Sequence, residues 1–92
     1  MITLQVSGQG GVPATGAVGA VLNITVTNGT ASSYLTVWPD GTTRPLASDL
    51  NWVAGQTVPN LVVVGLGANG KLDIYNAAGS TDVILDVVGY YR

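Results

Sequence analysis

Leu22-Asn23-Ile24-Thr25-Val26-Thr27 alternates apolar and polar side chains without a break, and Tyr34-Leu35-Thr36-Val37-Trp38-Pro39-Asp40-Gly41 repeats the rhythm before a turn. A period of two puts Leu22, Ile24 and Val26 on one side of an extended ribbon and the polar residues on the other, the pattern of a half-buried strand. The same rhythm runs outward in both directions. Ile2, Leu4 and Val6 alternate until Gly8, Gly10, Gly11 and Pro13 break the strand. Leu50 and Trp52 form a short extended piece. Val58 to Leu66 is a β-branched run interrupted by Pro59, and it reads as a strand buried on both faces. Its apolar stretch Leu61 to Val64 would be an aggregation hazard if exposed, so a central position is expected. Asn69-Gly70 carries a hairpin signal. Leu72 and Ile74 then oppose Lys71, Asp73 and Tyr75, and Val83, Leu85 and Val87 alternate before Gly89. No window supports an amphipathic helix longer than a turn. These elements predict an all-β fold, an antiparallel Greek-key-like β-sandwich of six to eight short strands, with a small β-barrel as the alternative. The expected core is Leu4, Val6, Leu22, Ile24, Val26, Leu35, Val37, Leu50, Val62, Val64, Leu72, Ile74, Val83, Leu85 and Val87, with Trp52 in it or sealing one end.

Composition limits what such a domain does. Ninety-two residues support one domain, taken as residues 1–92. With 47% hydrophobic and 9% charged residues the chain is not of the disordered class. Five Asp, no Glu, two Arg and one Lys give a net charge of −2. Nucleic acids and anionic membranes are held chiefly by Lys and Arg, so neither is an expected partner. Cysteine and histidine are both absent, which removes most transition-metal chemistry and the usual routes to an activated nucleophile. No cofactor, metal site or enzymatic activity is expected. No signal peptide is visible, because Met1 leads straight into a strand pattern; a cytoplasmic protein or a module of a longer one fits that start.

There is also a faint internal duplication. Leu22 to Thr27, a turn, then Tyr34 to Gly41 parallels Leu61 to Leu66, a turn, then Lys71 to Gly79. Any two strand–turn–strand units of a sandwich look alike, and two units related by a pseudo-two-fold axis are the sharper alternative. From about Val12 to Tyr91 the chain, through the phrase LNWVAGQTVPNL at Leu50–Leu61 and the ending DVVGYY at Asp86–Tyr91, resembles a repeat module of secreted and cell-surface proteins of actinobacteria, including streptomycetes. Modules of that family usually carry an LDTR-like segment upstream of the first strand, and this sequence is expected to start after it. The resemblance implies an extracellular or cell-surface location and a tandem or multidomain setting; it supplies no catalytic residue.

One strip of residues stands out as a candidate site. Tyr34, Thr36 and Trp38 share a face of their strand, and Lys71, Asp73 and Tyr75 share a face of theirs. Side by side, Tyr34, Trp38 and Tyr75 would form a stacking platform for sugar rings, with Asp73, Thr36 and Lys71 between them to meet hydroxyls. The plainer reading is that aromatics favour strands and cover sheets. Asp40 and Asp49 flank Arg44 and suit solvated positions or an Arg–Asp bridge. Asp82 and Asp86 share a strand face, and Asp86, set among apolar neighbours, is expected to need a partner. Gly8-x-Gly10-Gly11 and Gly65-x-Gly67 read as turns rather than phosphate loops, since no helix follows them. The sequons at Asn23 and Asn28 carry little weight if the source is bacterial. The expected function is a non-catalytic structural or adhesive repeat module, contacting neighbouring copies or the cell envelope. A carbohydrate-binding module that recognises a polysaccharide or cell-wall glycan is the alternative.

Overall fold

The computed structural model describes all residues, Met1–Arg92. Seven strands follow one another with no helix: β1 (Ile2–Gln5), β2 (Gly19–Thr27), β3 (Ser33–Pro39), β4 (Leu50–Trp52), β5 (Val58–Gly65), β6 (Lys71–Asn76) and β7 (Asp82–Tyr91). They form a four-stranded sheet, β1-β6-β3-β4, and a three-stranded sheet, β5-β2-β7. All pairings are antiparallel. The two sheets face each other as a sandwich and do not close into a barrel. Only β3 and β4 pair as sequence neighbours; every other connection crosses between the layers, the interleaving of a Greek-key-like fold.

The alternation of β2 decides where the interior lies. Ala20, Leu22, Ile24 and Val26 are all 0% exposed, while the residues between them reach the other face. Across the interior stand Leu35 and Val37 of β3, Leu72 and Ile74 of β6, and Leu50 and Trp52 of β4. Trp52 is a core residue, and its indole nitrogen is buried without a hydrogen-bond partner. Gly29 makes room for that ring edge, since a Cβ there would lie 2.6 Å from the nitrogen. Val12 joins the core from the first long loop. Leu4, Val83, Leu85 and Val87, expected in the core, only pack against its margin.

The two repeated strand–turn–strand units are arches, not hairpins. β2 leads across to β3, and β5 leads across to β6, so each unit spans both layers. Within the layers β2 pairs β5 and β3 pairs β6, each antiparallel. That places the two arches side by side, as a pseudo-two-fold relation requires. The hairpin expected at Asn69-Gly70 is therefore absent. Among non-glycine residues only Asn28 has a positive φ, so Asn69 lacks the left-handed backbone that a type I′ turn demands. Here the chain instead turns between sheets. Gly67 sits so close to the Asp40 carbonyl that an added Cβ would be 2.3 Å from its oxygen, which ties this crossing to the end of β3.

β5 corrects a second expectation. It is an edge strand, and Leu61 and Val63 are 60% and 63% exposed on the outer face. The interior is already filled by its alternate residues Val62 and Val64 together with β2. Pro59, which lacks a donor for a ladder, suits an edge position. The inward and outward rows thus differ sharply in energy. Leu22→Ala should cost about 2–5 kcal/mol, whereas Leu61→Ala should stay within about 0.5 kcal/mol. Urea denaturation of both variants checks this directly; similar losses would contradict the assigned faces.

Candidate functional site

The six residues of the expected strip do converge. Register pairs Thr36 with Tyr75 and Trp38 with Asp73 across β3 and β6, so alternation places all of them, with Tyr34 and Lys71, on the outer face of the four-stranded sheet. Tyr34 and Tyr75 lie diagonally, with ring centroids 6.2 Å apart and planes tilted by 57°. Their accessibility divides the strip. Thr36 and Asp73 are buried, and Trp38 is only 5% exposed. Trp38 therefore presents no open ring face for stacking.

What covers these residues is the segment between β3 and β4. Thr42 turns back on Pro39 through its backbone N–H and its hydroxyl, the latter 2.7 Å from the Pro39 carbonyl. Its own carbonyl accepts the Trp38 indole N–H at 3.2 Å. The Thr36 hydroxyl donates to the Ala47 carbonyl at 2.7 Å. Asp49 then anchors the far end: its carboxylate accepts the Val37 N–H at 2.8 Å, and its N–H donates to the Leu35 carbonyl. A carboxylate here substitutes for the backbone acceptor that β4, only three residues long, does not reach to provide. The Asn60 amide donates to the Asp49 carbonyl at 2.7 Å and joins the strap to the other sheet.

Arg44 crosses the strip rather than bridging to Asp40 or Asp49. Its guanidinium carbon is 3.9 Å from the Tyr75 ring centroid, a cation–π contact. Beside it opens a cleft of about 240 Å³ lined by Tyr34, Thr36, Arg44, Pro45, Leu46, Ala47 and Ser48. The cleft is thus an aromatic wall, a cation and backbone amides, with Leu46 fully exposed at its rim. Sequence reasoning missed Arg44, Ser48 and Leu46 as members of this site, because nothing in local alternation says where a strap between strands comes to rest.

At the other end of the strip the groups are polar. The buried Asp73 carboxylate accepts the Thr3 hydroxyl at 2.7 Å. Asp40 receives the Asn69 amide at 2.8 Å. That hydrogen bond, with smaller help from Asp73, the Lys71 charge and the Gly41 N–H, holds the Asp40 carboxyl below its ordinary pKa. Asp82 accepts the Asn28 amide at 2.9 Å on the opposite sheet. Asp86 is exposed on that same outer face and stands free of side-chain hydrogen bonds, so the partner expected for it is not needed. Gly8, Gly10 and Gly11 all have positive φ and turn the loop after β1, with no helix behind them. No group of three His, Cys, Asp or Glu side chains is placed to hold a metal ion. No helix is long and apolar enough to cross a membrane. Comparison with protein-family models, with curated proteins and with solved structures returns no match.

Two outcomes follow for this face. Trp38→Ala removes a buried ring and should cost about 3–5 kcal/mol, while Tyr34→Ala, at an exposed ring, should cost under about 1 kcal/mol; thermal or urea unfolding separates them. A carboxyl whose pKa is lowered by folding adds stability above its unfolded pKa and loses it as pH falls through the folded value. Asp40→Asn should therefore flatten part of the stability loss below pH ~4, and an acid titration of the melting temperature that is unchanged by the substitution would remove the Asn69–Asp40 link.

Proposed function

We propose that this chain is a non-catalytic extracellular interaction module that acts as a structural or adhesive unit and contacts further copies of itself. The observation that carries this reading is the outer face of the three-stranded sheet. Leu61 and Val63 of β5 and Ile84 and Val88 of β7 are all more than half exposed there; Val21 of β2 joins Val63 to the bulge at Val88–Gly89, while Leu61 and Ile84 stand beside Asn23 and Thr25, and Asp86 lies between Ile84 and Val88. Four large aliphatic side chains exposed on one sheet face, interrupted by Asn23, Thr25 and Asp86, are unusual on a soluble monomer and support a contact surface. The molecule measures 38 × 24 × 16 Å, so its broad side is of the order of the ~800 Å² that each partner covers in a stable interface. A net charge of −2 opposes such an approach only weakly. The extracellular setting rests on the resemblance to the actinobacterial repeat modules.

A second reading keeps a specific support. The cleft beside Tyr34 and Arg44 combines an aromatic ring, a cation and backbone polar groups, a mixture suited to a glycan unit. Affinity electrophoresis against soluble polysaccharides, with Tyr34→Ala as the control, tests it without disturbing the buried Trp38.

Light scattering and sedimentation over a concentration series test the main reading. Reversible self-association is expected, and Val63→Lys, a substitution at an exposed position, should weaken it at least about tenfold by placing a charge in the contact while leaving the unfolding midpoint of the dilute monomer in place. A strictly monomeric wild-type protein at millimolar concentration would sink the proposal.

A further inference from the structure

The two long sides of the sandwich are finished differently. On the β4/β5 side the layers are tied together: Asn60 reaches Asp49, the Gly55 N–H donates to the Gly29 carbonyl, and Leu50, Trp52, Val62 and Val64 are buried. On the β1/β7 side the burial fades in both layers at once. The inward rows run Val62–Leu22–Val87 and Val58–Val26–Val83. Leu22 and Val26 are sealed at 0% exposure, yet Val83, Leu85 and Val87 beyond them are only half-buried. In the facing layer Leu72 and Ile74 are buried, whereas their β1 partners are not: Leu4 is half-buried and Ile2 is 57% exposed. Two openings lie between these strands. One, of about 550 Å³, is lined by Leu4, Gln5, Val6, Leu85, Asp86 and Val87 among others. The other, of about 260 Å³, runs past Ile2 and Val83.

A four-stranded layer facing a three-stranded one leaves one strand position empty, and both openings place it beside β7 and opposite β1. β7 is also the longest of the four edge strands. β4 has three residues and β1 has four, and β5 carries Pro59. β7 has ten residues, pairs only β2 and contains neither proline nor lysine; beyond Asp86 a bulge and the packing of Gly10 on Val87 end the regular edge, so the row of backbone donors and acceptors from Asp82 to Asp86 is open to an added strand. Its outward residues bring two carboxylates four apart, Asp82 and Asp86. Of the chain's three basic residues, Arg44 and Lys71 lie elsewhere in sequence, and Arg92 follows the far end of β7, over the Tyr90 ring.

We propose that the β1/β7 side is a strand-acceptor groove, which takes an extended polypeptide segment with apolar residues at alternate positions and Lys or Arg at intervening ones. The segment adds to β7 as the fourth strand of its sheet, in the manner of β-augmentation. Its apolar side chains extend the inward rows and cover Ile2 and Leu4, and its cations face Asp82 and Asp86. A second copy docking through its own β7 is a poorer occupant, because β1 overhangs this position and meets the incoming β1 first. The groove adjoins the outer sheet face on which self-association rests and shares the outward row of β7 with it, whereas Leu61 and Val63 of β5 lie on the far edge of that face.

The test uses the whole domain and the synthetic peptide acetyl-KVTVKVTVK-amide, followed by amide hydrogen exchange and backbone NMR shifts. Saturable binding is expected, with exchange of the β7 amides slowed at least about tenfold and shifts confined to β1 and β7. The shuffled peptide acetyl-VVKKTTKVV-amide and a version N-methylated at alternate valines should bind at least about tenfold more weakly. Asp86→Lys should weaken the cationic peptide and strengthen acetyl-EVTVEVTVE-amide. The monomerised Val63→Lys protein should bind the first peptide as the wild type does, which separates this groove from the self-contact. No saturable binding, equal binding of the shuffled or N-methylated peptide, or shifts centred on Leu61 and Val63 would each overturn the proposal.

Discussion

The inward row of β2 is the constraint on which the rest of this molecule depends. Ala20, Leu22, Ile24 and Val26 are wholly removed from water, and they belong to the one strand with hydrogen-bonded neighbours on both sides in its sheet. Burying a row of aliphatic side chains supplies about 1.5–3 kcal/mol per residue for all but the alanine, and the chain has no cysteine for a disulfide to replace that contribution. A one-residue slip of β2 would turn the row outward and bring Asn23 and Thr25 in. Register elsewhere follows from it. β5 and β7 align along β2, and the arches leaving β2 and β5 fix where β3 and β6 lie in the facing layer.

The same strand explains why fold class was legible from sequence and sheet position was not. Alternation tells which side chains of a strand share a face, so β1 through β7 and most of the core could be read residue by residue. It does not tell whether a strand is central or at an edge. Val58 to Leu66 was the test case: an apolar run on both faces suggested the middle of a sheet, yet β5 lies at the margin with Leu61 and Val63 in water. The deciding residue was Pro59, whose missing N–H is harmless only where no neighbour needs it. The Asn69-Gly70 signal failed for a related reason. A turn dipeptide reports local backbone preference, whereas the choice between a hairpin and an arch depends on which layer has room for the next strand.

The candidate strip shows the limit of pattern reading more closely. Face-sharing among Tyr34, Thr36, Trp38, Lys71, Asp73 and Tyr75 follows from alternation plus the adjacency of β3 and β6. Exposure does not follow, because it is set by a third segment whose residues carry no period at all. The strap from Thr42 to Asp49 binds down through the Thr42 and Ala47 carbonyls and the Asp49 carboxylate. In doing so it satisfies the polar atoms of Trp38 and Thr36, which would otherwise need water. An indole with its N–H accounted for is at ease under cover. The exposed chemistry passes to Tyr34 and to Arg44 stacked on Tyr75, while the strip's largest ring becomes part of the structure.

Closure of the two margins then determines what kind of surface is left over. Where β4 ends early, side chains take over the work of backbone: Asp49 completes the ladder beside Val37, and Asn60 bridges the layers. No comparable side-chain bridge spans β1 and β7, and the burial of their inward residues falls accordingly. Both unfinished features, the bare sheet face and the open margin, belong to the β7 half of the molecule, while the strap and its polar contacts lie on the other sheet. A domain stabilised by one central strand can leave such ground uncovered, since the outer residues of β7 add little to its stability.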